Sequence, residues 1–273
     1  MVVGFLYTLS GGMLLVLGTG KPAEIAWRFI QLIGLAAFAL AIGAIVWTIR
    51  EAGWSIGTDT DARTWIALAS ALGAAMIAVI APLASRRPSL FGWTATIAGA
   101  LGISAGGLVA IGRAGLLSGA ASAPAVTTTW LIGVGQVLAA LMLGSITVAW
   151  LLGHAYLTQT KMTIAPLRHF ARMLTLTTGL RIAFLVVSVI VGLSTGGGSG
   201  GSLPDVIRSA WLILSLRVGL GLVGVAVFAY MVSQCVRLRA TQSATGILYF
   251  ASIFAYVGEL ANQHLIADVG WSF

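Results

Sequence analysis

The last apolar stretch of the chain, Thr245 to Ile266, reads TGILYFASIFAYVGELANQHLI. On a helix its Thr245, Tyr249, Ser252, Tyr256, Glu259 and Gln263 recur at steps of four, three, four, three and four, so they share one stripe of an otherwise apolar rod. The segment is long enough to cross a bilayer, which takes about 20 apolar residues. Placing a carboxylate inside such a segment costs roughly 2.5 kcal/mol or more even on lenient insertion scales. Glu259 therefore marks either a functional site or a structural ion pair.

Seven further apolar segments precede it: Val3 to Gly18, Phe29 to Ile49, Thr64 to Ala84, Leu90 to Gly112, Thr129 to Leu152, Phe170 to Leu193 and Ser209 to Ser233. Only 8% of the 273 residues are charged and 59% are hydrophobic, with a mean hydropathy of +1.01, whereas soluble domains carry about 25% charged residues. The stretches between spans are at most about 20 residues, too short to fold around a core of their own. The expected fold class is therefore all-α, a polytopic membrane helical bundle of about eight transmembrane helices forming one integral membrane domain over residues 1–273. No basic run precedes the first segment and no small-residue cleavage site follows it, so it is read as a retained helix.

Charge sets the orientation. Connectors after the odd-numbered spans hold Lys21, Arg28, Arg86, Arg87, Lys161, Arg168, Arg172, Arg237 and Arg239 against Glu24 alone. The opposite side holds Arg50, Arg63, Arg113 and Arg208 against Glu51, Asp59, Asp61, Asp205 and Asp268. The bias of basic residues toward the cytoplasm predicts both termini outside it, and the expected location is the bacterial cytoplasmic membrane. The net charge of +8 is thus an orientation signal and does not point to nucleic acid. Cys235 is the sole cysteine, which excludes an internal disulfide or an iron–sulfur cluster held by this chain.

The connectors carry their own expectations. Gly196 to Gly201 is a flexible linker and Ser118 to Thr129 is similarly small and polar. Pro166 is expected to start or break a short interfacial helix, and Pro82 to kink or end the third span. Gly99, Gly102, Gly106 and Gly107 in the fourth span read as close helix packing.

Arg181, Arg217 and Glu259 are the three charges deepest within spans. Counted from the predicted outer ends they lie within roughly 8 Å of a common depth at 1.5 Å per residue. One arginine can pair with Glu259, leaving the other to seek a carbonyl, a water or a ligand. The fifth span adds a second stripe, Gln136, Thr147, Trp150 and His154, at offsets of 11, 3 and 4. If the two stripes face each other, polar groups run across much of the membrane. Glu259, Arg217 and Arg181 are the candidates for proton or quinone chemistry, with Tyr256, Gln136 and His154 as candidate ligand contacts. A quinone headgroup offers two carbonyl oxygens and takes up two protons on reduction, so it needs donors of these types and a titratable relay. A b heme is disfavoured, because only His154 and His169 approach a common depth, and then only at the interface. No motif for a metal, a nucleotide or a covalently held cofactor is present.

The Gly258-Glu259-Leu260 run in the last span, Arg217 in the seventh and Ser10-Gly11-Gly12-Met13-Leu14-Leu15 in the first resemble the quinol-oxidising membrane anchor subunits of molybdopterin-containing reductases, the dimethyl sulfoxide reductase anchor and its polysulfide reductase-type relatives. The resemblance implies a quinol site near the outer face, with electrons passing to an iron–sulfur partner. The leading expectation is an integral subunit of a respiratory or redox complex, its partners being membrane lipids and subunits with iron–sulfur or cytochrome centres. The alternatives are a secondary transporter with a midplane Arg/Glu site, and a purely structural anchor or assembly subunit.

Overall fold

A computed structural model describes residues 1–51, 62–84, 87–117, 126–158, 163–194, 207–269 and 272. Every regular element among them is a helix. We number the long helices α1 (Val2–Gly18), α2 (Trp27–Glu51), α3 (Ala62–Ala84), α4 (Pro88–Leu117), α5 (Val126–Thr158), α6 (Ala165–Ser194), α7 (Trp211–Arg237) and α8 (Thr241–Val269). Six of these, α2 and α4 to α8, contain stretches long and apolar enough to cross a membrane, while Val2–Gly18 and Thr64–Ile80 are apolar but shorter. Trp27, Trp47, Trp65, Trp93, Trp130 and Trp211 are all exposed and lie near helix ends, where their amphipathic rings suit a membrane interface.

The helices form two rings of four. In the first, α1 packs on α2 and α4, and α3 joins α2 to α4; in the second, α5, α6, α7 and α8 pack in cyclic order. The rings meet where α1 lies on α5 and where α4 touches α5 and α8. As the seam element, α1 is surrounded, and thirteen of its seventeen residues are buried. A helix apolar on every side suits that place, and small residues permit it. A Cβ on Gly12 would stand 2.1 Å from the Ala140 carbonyl oxygen, and one on Gly144 would stand 2.1 Å from that of Gly12. Gly99, Gly102 and Gly106 of α4 also lie close to α1, an added Cβ standing 2.7, 2.8 and 2.7 Å from its nearest atoms, whereas Gly107 faces open space. Backbones this near to each other gain dispersion contacts that lipid tails cannot reach.

Two proline expectations resolve differently. Helix α3 ends at Ala84, just past Pro82. Pro166 does not create a separate interfacial helix: it sits in the first turn of α6, which continues to Ser194. Its missing N–H is one that a helix start leaves unbonded anyway. The Gly196 to Gly201 linker and residues 118–125 lie outside the described residues, while 126–129 already belong to α5.

The turn from α7 to α8 is short and decides the site. The Ala240 amide donates to the Cys235 carbonyl and the Arg239 amide to that of Val236, the paired bonds of a Schellman ending with Arg239 at φ 59°. Helices joined this tightly run antiparallel side by side. Arg217 lies 22 residues before Arg239 and Glu259 lies 20 after it, so the two side chains reach nearly one depth.

Candidate functional site

Glu259 is wholly buried and holds both arginines. Its Oε2 accepts a hydrogen bond from Arg181 Nη2 at 3.0 Å and forms an ion pair with Arg217 Nη1 at 3.4 Å. Its Oε1 accepts from Asn262 Nδ2 at 2.9 Å, one turn on along α8. Arg181 Nη1 donates to the Gly135 carbonyl of α5 at 2.8 Å, and its guanidinium stands over the Phe184 ring, 5.5 Å from the centroid. All four helices of the second ring thus meet at one carboxylate. The sequence left open which arginine would pair and which would find a carbonyl; both reach the same oxygen, and Arg181 finds the carbonyl as well.

Local backbone explains how Arg217 gets there. Residues Leu216–Gly224 form a π-helical stretch inside α7, with one more residue per turn than an α-helix, a departure that recurs at functional sites. Within it, Gly221 presses against Gly258, where an added Cβ would lie 2.1 Å from the Gly221 Cα. The residue beside this contact is Glu259 and the residue one turn before Gly221 is Arg217. The close crossing therefore brings the two charges within reach.

Among the described residues, two guanidiniums meet one carboxylate, and all three side chains are 0% exposed. Bringing each ion out of water costs several kcal/mol, while an ion pair at about 4 Å returns about 4 kcal/mol at an effective dielectric of 20. The second arginine also repels the first, so an apolar core of similar shape is the more stable alternative. Donors remain unfilled as well: Arg181 Nε and the Thr178 hydroxyl, on one face of α6, are buried without a hydrogen-bond partner.

The stripes of α5 and α8 do face each other. Gln263 Nε2 donates to Gln136 Oε1 at 3.1 Å, and Thr8 of α1 reaches the same oxygen at 2.8 Å. Tyr256 and Thr147 share a hydrogen bond of 2.8 Å; because the Thr147 hydroxyl donates to Leu143, the tyrosine is the donor. Trp150 packs at a tilt of 53° against Tyr249, with centroids 5.9 Å apart, and Gly153 meets Thr245. Tyr249 is nevertheless half exposed, so the stripe of α8 is not buried along its whole length. Gln136 lies next to Gly135 and Gln263 one turn beyond Glu259, which puts this amide pair beside the charged cluster. Tyr256 lies one turn to the other side. We expect Tyr256→Phe to lower stability by about 0.6 kcal/mol, the usual worth of an interhelical hydrogen bond in a membrane, read as a small drop in melting temperature in detergent. An unchanged melting temperature would mean that the bond contributes nothing.

His154 stands apart, exposed at the end of α5, and joins neither the cluster nor the amide pair. His169 Nε2 lies 3.0 Å from the Thr19 hydroxyl, and since that hydroxyl donates to Val16, the ring nitrogen donates to it. His264 bridges Met1 and Asp268 near the end of α8. No group of three or more His, Cys, Asp or Glu side chains gathers among the described residues. Thr8, Thr178, Asn262 and the Gly135 carbonyl complete the polar centre without having been singled out from sequence. The three-residue step from Glu259 to Asn262 was the one available signal. No family model, no curated protein and no solved structure matches this chain.

Proposed function

We propose that the protein is an integral membrane subunit of a multi-subunit redox complex, in which the Arg181, Glu259 and Arg217 cluster serves a quinone headgroup. The observation that carries this reading is the pair of unfilled buried donors, Arg181 Nε and the Thr178 hydroxyl, beside a carboxylate that two buried guanidiniums share. A buried cluster that does not favour stability is explained by a ligand it must hold, and a quinone carbonyl oxygen is an acceptor of the matching type. Oxidation of a quinol releases two electrons and two protons. The electrons pass to a redox centre of a partner subunit, Glu259 accepts one of the protons, and the other leaves to water. The resemblance of Gly258-Glu259-Leu260 and Arg217 to quinol-oxidising anchors supports the same direction. In this reading the chain crosses the bacterial cytoplasmic membrane about eight times, α1 and α3 included, with both termini outside the cytoplasm.

The same pair of buried guanidiniums also favours a second reading, a secondary transporter in which they bind an anion. Purification of the native assembly separates them: co-purifying iron–sulfur or cytochrome subunits support the first, and a lone homo-oligomer the second. Glu259→Gln is expected to lower quinol-dependent turnover, per assembled complex, by about 10²-fold or more, the range for loss of a proton-transferring group. Glu259→Asp should recover part of it and shift its pH profile. Unchanged turnover in Glu259→Gln would overturn the role of this carboxylate.

A further inference from the structure

We propose that the cleft between the first turns of α6 and the last turns of α7 binds one anionic glycerophospholipid, its phosphate on Arg168, Arg172 and Arg237 and an acyl chain along the apolar wall below them. The inference rests on the membrane reading and is independent of the quinone. The cleft has a volume of about 450 Å³ and is lined by the three arginines with Ala171, Thr175, Ser233 and Val236. Arg168 and Arg172 stand one turn apart on the same face of α6, and Arg237 is the last residue of α7. The basic groups thus rim the end of the bundle, while Thr175 lies seven residues along from Arg168, about 10 Å deeper.

Charge selects the occupant. No acidic side chain among the described residues pairs with Arg168, Arg172 or Arg237. On the far side of Arg168 and Arg172 a second cavity of about 350 Å³ carries Lys21, whose partner Glu24 lies 3.6 Å away, and His169. Even with Glu24 counted, three positive charges remain around the two cavities at the level where lipid phosphates lie. A free anion would satisfy the rim and leave the apolar wall unused. A glycerophospholipid satisfies both, and basic pockets between helices at this level suit such headgroups.

The test uses the full chain purified in a neutral detergent, with native mass spectrometry and melting temperature read on titration with phosphatidylglycerol, phosphatidylcholine or inorganic phosphate. The wild type is expected to retain one phosphatidylglycerol at least about tenfold more tightly than phosphatidylcholine, since each surface arginine contributes to anionic-lipid affinity. Arg168→Gln with Arg172→Gln should erase that preference. Ser233→Trp should block retention with the charges intact, and Arg50→Gln, at the other end of the bundle, should change nothing. Equal retention of both lipids, equal loss in Arg50→Gln, or displacement of the lipid by inorganic phosphate would overturn the proposal. So would a Ser233→Trp variant that binds normally, because the acyl chain would then not occupy the cleft. If the double arginine variant does not fold, Arg237→Gln and Ser233→Trp decide.

Discussion

Glu259→Ala is expected to lower folding stability by about 3–5 kcal/mol, the usual cost of removing one partner from a buried ion pair. The structure makes the upper part of that range the expectation. Removal takes the shared carboxylate from two guanidiniums instead of one, both wholly buried, and also takes away the oxygen to which the Asn262 amide donates. Arg181 keeps the Gly135 carbonyl, which softens the loss. Glu259→Gln should cost less, because its amide oxygen still accepts one guanidinium bond. The decisive comparison is with Arg181→Met, Arg217→Met and Glu259→Leu combined. That variant leaves no buried charge among the described residues, so it should melt above Glu259→Ala despite carrying three changes. Melting of the purified variants in one detergent measures this. If Glu259→Ala melts with the wild type, water reaches the carboxylate and the cluster is not the dry centre described here.

The cluster was legible in the sequence for a specific reason. A charge inside an apolar run has few innocent explanations, and depth along a helix is simple arithmetic, so Arg181, Arg217 and Glu259 could be placed at one level before any packing was known. The stripes of α5 and α8 came from the same periodicity, while their facing each other is a matter of packing that the sequence left open. What stayed hidden has physical causes too. Thr8, Thr178 and Asn262 are short polar residues of kinds that apolar helices carry freely, since they can bond back to their own backbone, as Thr8 does to Gly4. The Gly135 carbonyl carries no residue-level signal at all. The π-helical stretch Leu216–Gly224 differs from the rest of α7 by its three glycines, but in a chain with 35 glycines they read only as close packing. Pro166 does stand at a helix start, but of the long α6 and not of a short interfacial helix, because proline marks where a helix can begin and not how far it runs. The two-ring arrangement depends on which small-residue faces meet, and glycine spacing shows that a helix can approach closely without naming its neighbour.

That dependence on close approach leads to the second large effect. Gly12→Val should disrupt the seam between the rings. Overpacking a core usually costs about 1–3 kcal/mol, because neighbouring side chains turn aside. At Gly12 the nearest atoms are the backbone oxygen, carbon and Cα of Ala140, at 2.1, 2.7 and 3.0 Å from where a Cβ would sit. Backbone inside a helix cannot turn aside without breaking its own ladder, so α1 and α5 must move apart along their whole contact. The displacement would reach beyond the glycine. One turn before it, Thr8 reaches Gln136, and Gln136 adjoins the Gly135 carbonyl that holds Arg181. We therefore expect Gly12→Val to cost more than 3 kcal/mol or to prevent recovery of a monodisperse protein, and, where protein is recovered, to reduce the additional cost of Thr8→Ala, since the bond that mutation removes would already be strained. Gly107→Ala on α4 is the matched control. It faces open space, so the better helix former should be neutral or stabilising by up to about 1 kcal/mol. Size-exclusion profiles and melting temperatures of the wild type, the three single variants and the Gly12→Val with Thr8→Ala double variant read the outcome. If Gly12→Val behaves like Gly107→Ala, α1 does not lie against α5 and the seam is elsewhere.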